Sequence, residues 1–341
     1  MKAYNVAIVG ATGMVGQEFI KVLRQRNFPA ASVSLYASDR SAGKKLYVGH
    51  QEIEVKETSP ESFQNIDIAL FSAGAEISRY FSPIAAKSGT LVVDNSSAFR
   101  LEPKIPLVVP EINPEDIKLH EGIIANPNCS TIQMVVALYP LHKVNPIKRI
   151  VASTYQAVSG TGVAAMEELT TQAKLVLEGQ NVVPHVYPHQ IGFNLVPEID
   201  VFLDNGYTKE EWKMVDETHK IMHAPDIAIS ATCVRVPVFV GHSEAINVEF
   251  TDPMSPEEAR QILARAPGVK VLDDPSVSLY PMPWLAAGSD DVYVGRIRAD
   301  VSQPKSLVMW VVSDNLRKGA ALNAVQIAEE AARRDWVKVG K

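Results

Sequence analysis

Asn5-Val6-Ala7-Ile8-Val9-Gly10-Ala11-Thr12-Gly13-Met14-Val15-Gly16 is the stretch that decides the fold. It begins as a short apolar run, continues as glycines in the pattern G-x-x-G-x-x-G, and leads into Gln17-Glu18-Phe19-Ile20-Lys21-Val22-Leu23, whose spacing is helical. A strand, a glycine turn and a helix in that order place bare backbone where a pyrophosphate can rest on a helix N-terminus. Gly10 and Gly13 are therefore candidate dinucleotide contacts. The pattern is not the stricter G-x-G-x-x-G, and a tight turn with no ligand is the competing reading.

Working outward, further apolar runs at Val33–Ala37, Ile66–Phe71 and Thr90–Asp94 alternate with helical segments. That alternation predicts an α/β fold, a doubly wound parallel sheet of Rossmann type. Beyond Cys129 the texture changes. Strand candidates Ile150–Val158, Thr232–Val240 and Ala245–Phe250, the last with Ile246, Val248 and Phe250 alternating with polar residues, predict an α+β domain built on a mostly antiparallel sheet. Thr208-Lys209-Glu210-Glu211 is a capping box opening a helix. Ser313-Asp314-Asn315 precedes a last helix with Leu316, Ala320, Asn323, Ala324 and Ile327, expected to pack back on the first domain. A chain of 341 residues suggests two domains. The expected partition is 1–128 plus 314–341 for the nucleotide domain and 129–313 for a catalytic and dimerisation domain.

Apolar residues make up 46% and charged residues 21%, and the formal net charge of −6 argues against a nucleic-acid or anionic-membrane binder. No apolar run approaches a membrane span and no signal-peptide pattern is seen, which predicts cytoplasmic residence. Two cysteines, Cys129 and Cys233, make no disulfide framework and lack zinc-site spacing, so no metal is expected.

Cys129 sits in Asn126-Pro127-Asn128-Cys129-Ser130-Thr131, at the start of an apolar stripe of Ile132, Val135, Val136 and Tyr139 that Pro140 is expected to end. A thiol in a first helical turn faces unpaired amides and the positive dipole end, which favours the thiolate. A small buried thiol is the other reading of the same residue.

After the second strand stands Ser38-Asp39-Arg40-Ser41, where an NAD site usually has an acidic residue for the ribose. Arg40 and Ser41 suit a 2′-phosphate and point to NADP, with Asp39 leaving NAD open and a solvated basic loop as the plain alternative. A thiolate beside a nicotinamide suggests aldehyde oxidation through a thioester, which needs a proton-handling partner. His242, in the turn after the strand holding Arg235, is the candidate, against a solvated histidine. Gln156 could orient a carbonyl, and Ser159-Gly160-Thr161-Gly162 could admit a flat ring, although a surface glutamine and a structural turn fit equally. Arg100, Lys213 and Arg235 are candidate anion sites. Lys213, three residues after Glu210, could instead be an exposed ion pair, and Arg100 a solvated loop residue.

Together these residues resemble the aspartate-β-semialdehyde dehydrogenase family, nearly end to end. The resemblance rests most on the Asn126–Thr131 box, Gly10–Gly16, Asp94-Asn95-Ser96-Ser97-Ala98-Phe99-Arg100, Glu210-Glu211-Trp212-Lys213 and Arg235–His242. It implies Cys129 as nucleophile, Gln156 as substrate-orienting neighbour and His242 as acid/base. It implies Arg235 on the substrate carboxylate, Glu210 on the substrate or its amino group, and Arg100 and Lys213 on phosphate. Thr12–Val15, Arg40, Ser41, Ser159, Gly160 and Asn315 would meet the cofactor. The implied reaction is reversible: NADPH, L-aspartyl-4-phosphate, L-aspartate 4-semialdehyde, phosphate and NADP+, in lysine, threonine, methionine and diaminopimelate synthesis. A homodimer is implied, with a tetramer left open.

Two relatives share this chemistry. N-acetyl-γ-glutamyl-phosphate reductase has a cysteine box resembling Pro-Gly-Cys-Tyr-Pro-Thr, unlike Pro127-Asn128-Cys129-Ser130-Thr131, and glyceraldehyde-3-phosphate dehydrogenase differs in the cysteine neighbourhood and in its NAD-type acidic residue. A non-catalytic NADP-binding redox sensor is the reading from a different class.

Overall fold

The computed structural model describes residues 2–337 and separates into two units, Met1–Asn128 with Ala320–Lys341, and Cys129–Gly319. In the first unit the strands are β1 (Tyr4–Val9), β2 (Ala30–Ala37), β3 (Lys45–Val48), β4 (Gln51–Glu54), β5 (Lys56–Glu57), β6 (Ile68–Phe71), β7 (Leu91–Asp94) and β8 (Ile123–Ala125). Helices α1 (Met14–Gln25) and α2 (Ala75–Lys87) connect them. The main sheet runs β5-β2-β1-β6-β7-β8, parallel at every pairing, while β3 and β4 form a separate hairpin. Because side chains alternate along a strand, β1 feeds two cores. Val6 and Ile8 join Phe19, Val22 and Leu23 of α1 in one, and Ala7 and Val9 join Phe63, Phe71 and Ala85 in the other. That explains why the opening run is uniformly apolar.

The second unit contains α3 (Cys129–Val144), β9 (Ile147–Gln156), α4 (Val163–Leu177), α5 (Lys209–Met222), β10 (Ala228–Arg235), β11 (His242–Phe250), α6 (Pro256–Leu263), β12 (Val269–Val271), α7 (Pro283–Ala286), β13 (Val292–Ala299) and β14 (Ser306–Ser313). Its sheet runs β10-β9-β11-β14-β13-β12. The three central pairings, β9–β11, β11–β14 and β13–β14, are antiparallel, whereas the outer β9–β10 and β12–β13 are parallel, so the sheet is mixed. Finally α8 (Leu322–Arg333) returns to the first unit, where Leu322, Val325, Ile327 and Ala328 pack in the core with Val6 and Ile8.

Several local expectations shift. Pro140 does not end α3, which runs through it to Val144. Nor is α3 amphipathic: every residue from Ser130 to Leu138 is buried, so the helix is a central pillar of its unit. The strand expected over Thr232–Val240 stops at Arg235, because Pro237 has no amide for the ladder. His242 is not in a turn but is the first residue of β11. The chain rejoins the first unit at Ala320 rather than at 314, because Asn315 is tied by hydrogen bonds to Ser159 and Gly241 of the second unit. Strands β3, β4, β5, β8, β12, β13 and β14 lie outside the expected runs, although β14 carries the unbroken apolar stretch Leu307-Val308-Met309-Trp310-Val311-Val312.

Candidate active site

In the first unit the glycine turn is built for close approach. Gly10 has φ +87°, and a Cβ there would lie 2.2 Å from the Ser72 carbonyl oxygen; a Cβ on Gly16 would lie 2.2 Å from the Gly10 oxygen. Only glycine allows strand, turn and helix to pack this tightly. Gly13 is the N-cap of α1 with no side-chain cap, and no acidic residue stands in the first turn. An anionic pyrophosphate therefore meets neither a competing carboxylate nor a capping side chain, and the residues fit a dinucleotide. Thr12 Oγ1 donates to Ser41 Oγ at 3.3 Å, which ties the turn to the Asp39–Ser41 segment. Arg40 there is exposed, while the Asp39 carboxylate accepts from the Arg40 backbone amide at 2.7 Å. An arginine reaching into solvent suits an added phosphate.

Arg100 is buried, so the solvated-loop reading fails. Its Nε donates to the Asn126 carbonyl at 2.9 Å and its Nη2 to the Asn95 carbonyl at 2.8 Å. Asn126 in turn donates to Asn95 Oδ1 at 2.8 Å and accepts from Asn323 at 2.7 Å. The turn that precedes Cys129 is thus pinned by Arg100 and Asn323.

In the second unit the site forms at one end of the mixed sheet. Gln156 ends β9, Arg235 ends β10 directly opposite it in register, and His242 opens β11. Their parity places them with the buried residues Thr154, Cys233 and Glu244 on the covered face. Cys129 opens α3, is partly exposed and is in no disulfide. A Cβ on Gly319 would lie 2.9 Å from Cys129 Cβ and 3.6 Å from Asn315 Cβ, so the backbone at Gly319 lies directly against the thiol's residue. Asn315 Nδ2 donates to Ser159 Oγ at 2.9 Å, and Asn315 Oδ1 accepts the Gly241 amide at 2.9 Å. A Cβ on Gly160 would lie 3.1 Å from Arg235 Nη1 and 3.4 Å from both Cε1 and Nε2 of His242. Cys129, Asn315, Ser159, Gly160, Arg235 and His242 are therefore linked by a chain of close contacts.

The charged rim comes from α5. Its capping box is closed in both directions: Thr208 accepts the Glu211 amide at 3.3 Å, and Glu211 accepts the Thr208 amide at 2.7 Å. The other oxygen of Glu211 accepts the Cys233 amide at 2.9 Å, which fastens the helix to β10. One turn in, Glu210 accepts from Gln156 Nε2 at 3.2 Å and from Lys213 Nζ at 3.0 Å, while Lys213 also donates to Asp200 at 2.8 Å. With side chains only 16% and 8% exposed, Lys213 and Glu210 are not a solvated pair. Burial, which disfavours the ammonium, is outweighed at Lys213 by Glu210 and Asp200, leaving its pKa raised.

His242 is fully buried. Burial, then the Arg235 charge, lower its pKa to about 3, with Glu210 opposing. Its Nδ1 accepts the Ala157 amide at 3.0 Å. Arg235 donates through Nη1 to the Ala157 carbonyl at 2.7 Å and stands 6.0 Å from the Tyr187 ring centroid.

Residues 5–120 match the family model described as semialdehyde dehydrogenase, NAD binding domain, and residues 138–318 that described as semialdehyde dehydrogenase, dimerisation domain. The aspartate-semialdehyde dehydrogenase of Aquifex aeolicus is 58% identical over 96% of this chain and 97% of its own, and that of Bacillus subtilis 50% over 98% and 99%. The chain belongs to the aspartate-semialdehyde dehydrogenase family. A Vibrio cholerae aspartate semialdehyde dehydrogenase II complexed with ASA superposes with a TM-score of 0.95 at 47% identity, covering 98% of this chain and 99% of that one. A Candida albicans aspartate semialdehyde dehydrogenase with NADP gives 0.78 at 29%, covering 98% and 99%. These matches support a nicotinamide-binding domain and a dimerisation domain.

Within that family frame, the structure adds residues the sequence did not single out. Gly319, an isolated glycine in a helical pattern, was the one with a readable signal. The Ala157 backbone had none, because any residue supplies an amide. Asp200 lies 13 positions from Lys213 in a segment without periodicity. Among the described residues no group of His, Cys, Asp and Glu could hold a metal ion, and no helix is long and apolar enough to cross a membrane.

Proposed function

We propose that the chain catalyses the reversible NADP-dependent conversion of L-aspartyl-4-phosphate to L-aspartate 4-semialdehyde and phosphate through a Cys129 thioester. The observation that carries this is the linked set of Cys129, Asn315, Ser159, Gly160, Arg235 and His242 at one end of the sheet, with Gln156, Glu210 and Lys213 beside it. Arg235 grips the substrate carboxylate, its planar fork matching two oxygens. Glu210, poised between Gln156 and Lys213, takes the amino group, and Gln156 orients the reacting carbonyl. Cys129, as thiolate, displaces phosphate from the acyl phosphate; Lys213 and Arg100 hold that phosphate. When bound, NADPH supplies the hydride that reduces the thioester. His242 returns a proton in this direction and removes one in reverse, while the Cys129 amide at the helix start serves the oxygen on which negative charge develops; one such donor is commonly worth ~3 kcal/mol. Collapse of the thiohemiacetal frees the aldehyde and returns the thiolate.

Ser41 and exposed Arg40 support NADP over NAD, and the Gly10–Val15 turn would hold its pyrophosphate. Ser159, Gly160 and Asn315 would admit the nicotinamide end. A cytoplasmic homodimer formed through the second unit suits this reading, since the outer face of its sheet keeps Tyr155, Ala245, Asn247, Val308 and Trp310 only partly buried. Purified protein should reduce NADP+ with aspartate semialdehyde only when phosphate is present. No such activity would end the proposal, and activity with N-acetylglutamate semialdehyde instead would select the reductase.

A further inference from the structure

The two carboxylates on Lys213 are held unequally. The ammonium donates to Glu210 at 3.0 Å and to Asp200 at 2.8 Å. Glu210 stands in the first turn of α5 with its side chain 8% exposed, and its other oxygen accepts from Gln156 Nε2 at 3.2 Å. Asp200 comes from the loop before that helix, and its side chain is 31% exposed. Its other oxygen accepts only the amide of the next residue, Val201, at 2.9 Å. The loop is fastened to the start of α5, since the Lys209 amide donates to the Val201 carbonyl at 2.8 Å and Phe202 bridges Thr208. Asp200 reaches the lysine from a left-handed position, φ +69°, which aspartate and asparagine tolerate better than most side chains.

Charge gives this arrangement a consequence for an incoming anion. One cation facing two carboxylates leaves the cluster negative, so a phosphate dianion brought to Lys213 is repelled by both. Burial works against the Asp200 carboxylate, but Lys213, the Val201 amide and the Lys209 charge outweigh it, and its pKa is lowered. One carboxylate must yield for the lysine to take phosphate. Water reaches Asp200, so losing Lys213 leaves it solvated, whereas Glu210 would be a charge stranded under cover.

We infer that Asp200 is a displaceable counter-ion of Lys213: it holds the lysine while the phosphate position is empty, gives way to phosphate, and returns as phosphate leaves. This rests on the assignment of phosphate to Lys213 in the reaction proposed above. Asp200 is then a positioning residue that acts through Lys213. Its hold on the lysine weakens phosphate binding in the oxidative direction and favours phosphate release in the synthetic one.

Asp200→Asn keeps the shape, the left-handed backbone and an acceptor for the Val201 amide while removing the charge. With inorganic phosphate varied in the oxidation of aspartate semialdehyde, the phosphate KM should fall about fivefold and the semialdehyde KM stay within about twofold. In the reductive direction, inorganic phosphate should become a stronger product inhibitor by the same factor. An unchanged or raised phosphate KM overturns the inference, as does a parallel change in both KM values, the mark of a merely structural role. A crystal structure of wild-type protein soaked with inorganic phosphate decides the same point without a variant. Phosphate on Lys213 Nζ with Asp200 beyond hydrogen-bond reach is expected; Lys213 still held by Asp200 overturns it. Lys213→Ala should raise the phosphate KM at least about tenfold. If it does and Asp200→Asn changes nothing, displacement fails and the assignment of Lys213 stands. No effect of Lys213→Ala removes both.

Discussion

Cys129 and Cys233 are the same side chain in two opposite settings. Cys129 opens a helix, is partly exposed and lies beside glycine backbone at Gly319. Cys233 sits mid-strand in β10, fully buried, with its thiol 3.8 Å from Met214 Sδ beneath α5. Burial pushes the Cys233 thiol well up, and Glu210 adds to the shift, so it stays protonated and behaves as a small apolar group. The lesson lies in placement: a thiol becomes a nucleophile where backbone ends and solvent reaches, and a core filler where a strand is covered. Only one pleat repeat separates the two regimes on β10 itself, since Cys233 and Arg235 share a face yet Arg235 lies at the strand's end, beside Gly160 and His242.

Exchanging each thiol is the strongest way to break this contrast. Cys129→Ser should cut turnover about a thousandfold or more while NADP binding persists, because serine is a poor unassisted nucleophile. Cys233→Ala should leave kcat within about threefold, since nothing in the thioester chemistry uses it. Steady-state kinetics with a cofactor titration checks both, and near-normal turnover in Cys129→Ser would end its assignment. Alkylation comes next. Iodoacetamide at pH 8, followed by peptide mass spectrometry, should label Cys129 at least about a hundredfold faster than Cys233 in the folded protein. Comparable rates would mean that α5 does not shield β10.

Arg235→Lys sharpens the comparison at its boundary. A forked contact becomes a point charge, and kcat/KM for aspartate semialdehyde should fall about 30-fold. Unchanged kinetics would return Arg235 to the structural side with Cys233. Smaller effects belong to stability. Cys233→Ala removes a buried sulfur and should cost about 1–2 kcal/mol by denaturant unfolding. Thr208→Ala breaks the cap of the helix covering Cys233 and should cost about 1 kcal/mol, with a modest rise in Cys233 alkylation. No change in either would show that the α5 lid contributes little.

Much of the frame was legible in the chain because its causes are local. The run Asn5–Gly16 could only be strand, glycine turn and helix, since the Gly10 φ and the Gly16 contact exclude side chains. The Thr208–Glu211 box declared a helix start, and Cys129 declared another. The alternation Ile246, Val248, Phe250 declared one buried face. Tertiary structure decided what periodicity could not carry. It ran α3 through Pro140 and buried it on all sides, and it ended β10 at Arg235. It set Asp200 on Lys213, packed Gly319 against Cys129, and turned the Ala157 amide onto His242. Those contacts join residues from 13 to 190 positions apart, and the one onto His242 uses a backbone amide that nearly every residue type shares. Side-chain identity encodes local preference, whereas which amide meets which ring depends on sheet register and helix docking, and these exist only once the chain has folded.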